Sequence, residues 1–137
     1  MQSISLIFLQ KVRSSRWERR KPNEYFCKNY FMPFLLIYVT HPSKPEAIRI
    51  STELLNAHLV ACVNYYPTES VYWWEGRLTK SEEVMTLYKT RPENWEPVKA
   101  MIESLHKYEV PCIMKLATVE ANESYESWVQ EQTLSPI

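Results

Sequence analysis

The chain has 137 residues, sixteen Lys/Arg against sixteen Asp/Glu, and 45% hydrophobic residues, which fits one folded domain and argues against disorder. Zero net charge gives no electrostatic signal for nucleic acid or an anionic membrane, and no apolar run approaches the roughly 18 residues of a membrane helix. Three cysteines without a CxxC spacing argue against a disulfide framework and fit reduced thiols in a cytoplasmic protein.

The charge is unevenly spread. Residues 1–32 carry seven of the basic residues and only Glu18 and Glu24, a net +5, which leaves −5 on the remainder. The run KVRSSRWERRK shares its basic, serine-containing make-up with organellar transit peptides. We read residues 1–32 instead as a basic extension outside the core, because Met32 stands directly before the first strand-like run. Residues 33–137 then form one domain.

Within it, FLLIYVT (34–40) is apolar and β-branched and predicts a buried strand. Ser43, Pro45 and Glu46 have the spacing of a helix start, and Ala47, Ile50 and Leu54 recur at helical period, with His58 as a further candidate. Asn56 is the expected stop. LVACVNYY (59–66) predicts a second strand, interrupted at Pro67-Thr68-Glu69 and resumed by SVYWW. Glu75-Gly76-Arg77 spends the chain's only glycine on a tight hairpin, with EEVMTLYKT (82–90) as the returning strand. Asn94 is the expected cap of a helix whose Trp95, Val98, Ile102 and Leu105 face inward, ending near His106. CIMKLATV (112–119) predicts the last strand. Asn122 opens a final helix with Tyr125, Trp128 and Val129 on one face.

The order βαββαβ with a C-terminal helix is the ferredoxin-like α+β arrangement, an antiparallel sheet with two helices on one face. Its free face should be polar, yet Leu36, Tyr38 and Tyr66 alternate with residues that are also apolar or aromatic. A symmetric oligomer is the economical way to cover it.

The fragments ACVNYYPTESVYWWEG, LYKT, HKYEVP and SYESW, in this order and spacing, resemble the CutA family of divalent-cation tolerance proteins over about residues 34–131. The resemblance implies a ferredoxin-like fold and a tight homotrimer with sheets joined around a threefold axis. It also implies a hairpin that reaches a neighbour, a link to copper tolerance, metal binding in some members and no established catalysis. The architecture is similar to that of PII signalling proteins, whose trimers hold small molecules between subunits. That offers an alternative role as a small-molecule sensor or protein-anchoring scaffold. Three positions depart from the family pattern. Lys107 replaces a Pro, Cys112 replaces a Glu, and the loop at Pro67 lacks a Gly.

Metal-ligand candidates for copper or another divalent ion are His106 and Glu109 at a helix-to-strand junction, with Cys62 and Cys112 as soft donors. The alternative for the first two is that they satisfy backbone groups at a turn, and for the thiols that they are small buried hydrophobes. In this fold Cys62 and Cys112 belong to opposite sheet edges, about 14 Å apart by strand spacing. A Zn–S bond is about 2.3 Å, so only neighbouring subunits could join them. Lys89, Tyr108 and Tyr72 are candidates for a ligand cleft, and Trp73, Trp74 and Trp128 for the trimer interface. No glycine-rich phosphate loop and no nucleophile–base spacing is present, and Ser70 has no partner in sequence, so no enzyme is expected.

Overall fold

The structure, a computed structural model, describes residues 35–116 and 120–133. The reading of 1–32 as an extension, and of 117–119 as the end of the last strand, lies outside the described residues. The elements are β1 (Leu35–His41), α1 (Lys44–Asn56), β2 (Cys62–Trp74), β3 (Arg77–Thr90), a 3-10 turn (Pro92–Asn94), α2 (Trp95–Leu105), β4 (Ile113–Leu116) and α3 (Glu123–Gln132). The sheet order is β2-β3-β1-β4, with every pairing antiparallel. This is the expected ferredoxin-like order.

Strand parity divides the sheet into two faces. On one, Leu35, Ile37 and Val39 of β1 and Tyr88 of β3 pack against Ile50 and Leu54 of α1 and Val98 and Ile102 of α2. Tyr88 is fully buried, so its phenol needs a partner; it meets Ser51 Oγ at 2.9 Å, and Ser51 in turn donates to Ala47 O at 2.6 Å. The opposite face carries Tyr38, Tyr66, Met114 and Leu116, none of them fully buried in the single chain.

Ser43 caps α1 as expected, its Oγ accepting from the Glu46 amide at 3.4 Å. Asn56 does not supply the left-handed residue that ends the helix. That conformation falls two positions later, on His58 with φ 54°, where its Nδ1 also meets Gln132 O at 3.2 Å. Asn94 flanks α2 but makes no side-chain cap. Its amide is directed into the core, donating to Leu59 O at 3.0 Å and Thr90 Oγ1 at 3.2 Å, so tertiary bonding overrides local capping. Arg91 fastens the end of α3 by donating to Gln130 O and, at 2.7 Å, to Thr133 O. A cation on carbonyls left open at a helix C-terminus is favourable.

The expected break at Pro67 is absent. β2 runs unbroken through Pro67, which pairs with Val84. β2 is an edge strand, so the missing N–H of Pro67 faces away from β3 and no ladder bond is lost. β1 accompanies β3 only to the pair His41↔Val84, whereas β2 continues to Trp74↔Arg77. Residues 77–83 and their partners therefore form a two-stranded ribbon extending about 24 Å beyond the four-stranded sheet. Its turn holds both central residues at positive φ, Glu75 at 48° and Gly76 at 73°. That is the type I′ geometry that matches strand twist. A Cβ on Gly76 would meet nothing within 4 Å, so the glycine serves backbone conformation, not space.

Candidate functional site

Where the ribbon leaves the sheet, the open face is walled by the segment joining α2 to β4. The result is a cleft of about 660 Å³ lined by Tyr38 of β1, Tyr72 and Trp74 of β2, Glu83 of β3, and Tyr108 and Cys112 of the wall. Register explains the convergence. Tyr38 pairs with Leu87 and Met114, and Tyr72 with Thr79, so alternate residues of all four strands present one face.

Glu83 is only 8% exposed. Its Oε1 accepts from the Tyr108 hydroxyl at 2.8 Å. Burial, then the bond to Glu83 and its charge, raise the Tyr108 phenol well above the ordinary range. Burial also raises Tyr38, with smaller contributions from Cys112 and Glu83, and raises the Cys112 thiol, again helped by Glu83. At neutral pH these groups stay protonated and Cys112 is a poor nucleophile.

His106 is held by two bonds that fix its tautomer. The Tyr108 amide can only donate, and does so to Nδ1 at 3.0 Å; Thr40 O can only accept, from Nε2–H at 2.8 Å. The ring also stacks on His41, with centroids 5.3 Å apart. His41 is fully buried, meets Thr86 Oγ1 through Nε2 at 3.0 Å, and has a pKa lowered to about 4, first by burial and then by His106.

These facts separate the candidates read from the sequence. Tyr108, Tyr72, Glu109 and Cys112 come together around the cleft, with Trp74 in its wall. His106 adjoins it, but both ring nitrogens are committed to the backbone, the alternative role raised for it above. Cys62 lies elsewhere. It pairs with Lys89, which pairs with Leu36 and through it Leu116, so Cys62 and Cys112 differ in both edge and end of the sheet. Their separation is roughly 20 Å by strand geometry. Lys89 is likewise parted from Tyr108 and Tyr72. It is 8% exposed, its Nζ donates to Cys62 Sγ at 3.9 Å, and burial lowers its pKa. Among the described residues no group of three or more His, Cys, Asp or Glu converges as a metal site within one chain. Trp73 is 73% exposed on the ribbon, and Trp128 stacks on Tyr125 at 5.5 Å on α3.

Two cleft residues escape sequence reading. Glu83 and Tyr38 look like ordinary strand residues there, and only the parity they share with Met85 and Thr40 places them on the open face.

The profile of the CutA1 divalent ion tolerance protein family matches residues 35–132. The chain belongs to that family. The divalent-cation tolerance protein CutA of Pyrococcus horikoshii is 36% identical over 99 residues, covering 72% of this chain and 97% of its own length. Protein CutA 1, chloroplastic, of rice is 33% identical over 103 residues, covering 74% of this chain and 58% of its own. The structure of the periplasmic divalent cation tolerance protein CutA from Archaeoglobus fulgidus superposes with a TM-score of 0.71 at 35% identity, covering 72% of this chain and 97% of that one. The CutA1 match thus takes in every described strand and helix, including the ribbon and α3.

Proposed function

We propose that this CutA1 chain is a non-enzymatic divalent-cation tolerance protein that works as a homotrimer. The observation carrying the assembly is the uncovered apolar surface. Trp73 is 73% exposed, Leu78 64% and Val71 59%, all on one protruding ribbon. A two-stranded ribbon is marginal in water by itself, and contiguous exposed apolar patches mark interaction surfaces. Light scattering at micromolar concentration should give about three times the 16.4 kDa chain mass. A folded monomer would refute the assembly.

Copper or another divalent ion is the ion we associate with the tolerance role. Since the described donors of one chain do not converge, a bound ion would draw on more than one subunit, with Glu109 and Cys112 as the contributors whose donor atoms are free among the described residues. Copper binding by the intact trimer should then be lost when the subunits are separated. Copper bound equally well by a dissociated, folded chain would overturn this. We place the protein in the cytoplasm on its thiols alone; relatives described as periplasmic and chloroplastic bear on their own locations.

A second reading, a PII-like small-molecule sensor or scaffold, is favoured by one specific observation, the 660 Å³ cleft with a buried carboxylate in its wall.

A further inference from the structure

We propose that the cleft binds an organic ammonium group, its charge met by Glu83 and its faces by aromatic rings. The inference rests on the small-molecule reading of the cleft and names the ligand class.

Glu83 is a carboxylate in a nearly closed position, and a buried charge without a counter-charge is costly. Tyr108 donates to one of its oxygens, which lowers that cost without removing it. Among the described residues no Lys or Arg forms an ion pair with Glu83. Lys107, the one basic residue of the lining, is drawn away to Glu46, with Nζ to Oε1 at 3.0 Å. Glu109 adds a second negative charge at the wall. The cleft is therefore short of positive charge, which disfavours an anion.

A bare divalent ion is disfavoured by the donor count, since it seeks several converging oxygens and no such cluster exists among the described residues. The walls offer ring faces instead. Tyr38, Tyr72 and Tyr108 supply three, and a cation over an aromatic face is attracted by the ring quadrupole. Val110 and Met114 complete the lining with apolar surface suited to an alkyl stem. A carboxylate, three rings and an apolar floor are the complement of an alkylammonium, with N–H groups for Glu83 and methylenes for Met114.

Three probes share one stem and differ in charge: n-butylammonium, n-butanol and n-butyrate. Ligand-observed NMR on the full-length protein, at matched ionic strength with ammonium chloride as control, should show n-butylammonium bound at least about tenfold more tightly than n-butanol. Butyrate should show no binding. Glu83→Gln keeps the side-chain shape and an acceptor for Tyr108 while removing the charge, and should erase the preference for the cation. If that variant does not fold, Tyr72→Leu, which removes one ring face at a half-exposed position, should weaken n-butylammonium several-fold and leave n-butanol nearly unchanged. Equal binding of butanol and butylammonium would overturn the proposal, as would a preference that survives in folded Glu83→Gln. Tighter binding of butyrate would overturn the ligand class and leave the cleft as a small-molecule site. Binding of none of the three would remove both.

Discussion

The two faces of the sheet are made of similar residues and meet different fates. Ile37 and Val39 point one way and are fully buried beneath α1 and α2, while Tyr38 between them points the other way into an open cleft. On β4, Met114 is 46% and Leu116 39% exposed, although both are as apolar as the residues under the helices. Composition therefore does not decide which face a chain can close by itself. Helix supply does. Two helices cover one face, and the CutA1 chain keeps an apolar second face and an aromatic ribbon that a lone domain would have little reason to retain.

The largest effect is expected from Trp74→Ala. If the end of the ribbon is packed against a neighbouring subunit, the change behaves as a core truncation of about 3–5 kcal/mol in each chain. Sedimentation over a concentration series should then show dissociation that high protein concentration partly reverses. An intact trimer with an unchanged melting point would show that the end of the ribbon meets no neighbour. Ile37→Ala, on the closed face, should cost about 2–5 kcal/mol in chemical denaturation without raising the trimer's dissociation constant.

Acid should act first on the closed side. His41 is held neutral in the folded chain, with its pKa lowered to about 4 from an ordinary 6.5. Between those values the unfolded chain binds a proton that the folded one resists. Stability is thus whole above pH 6.5, falls as pH drops toward 4, and levels below it, by up to roughly 3 kcal/mol. Glu46 enters later. Hydrogen bonds from Arg49 and then Lys107 lower its pKa to about 2, so its contribution is lost only as pH falls below about 4.5. Denaturation midpoints at pH 7.5 and 5 for the native chain and His41→Gln should differ less in the variant.

Gly76→Ala tests the ribbon with a smaller effect. The position has φ 73° and open space, so only backbone strain is added, about 1–2 kcal/mol. It should lower the melting point by a few degrees and leave the cleft's ligand preference intact. Smallest is Tyr88→Phe, which removes one hydroxyl from a buried pair while Ser51 still donates to Ala47 O. It should cost about 0.5–1.5 kcal/mol by denaturant titration.

The fold was legible because each boundary has a local cause: Ser43 at a helix start, Gly76 at a hairpin, periodicity in α1 and α2. Local rules fail where a distant partner overrides them. Asn94 has the chemistry of a cap but bonds to Leu59, and Pro67 has the chemistry of a breaker but lies on an edge. The site was less legible for the same reason. His106, Tyr108 and Glu109 are close in sequence and could be proposed together. Glu83 is 25 residues from Tyr108, and their hydrogen bond exists only through strand register and the path of the 107–112 segment.

Pro67 has a further consequence, for what this protein avoids. The outer edge of β2 offers backbone groups from alternate residues, Val63, Tyr65, Glu69, Val71 and Trp73, a row that apart from Glu69 is aromatic and β-branched, of the kind that templates fibrils. In the middle of that row Pro67 presents no donor. An incoming strand can zip along either half of the edge but cannot continue its ladder across the gap. The same residue that leaves the native hairpin undisturbed makes its outer edge a poor seed for open-ended stacking, so self-association is steered toward contacts of limited length that can close on themselves.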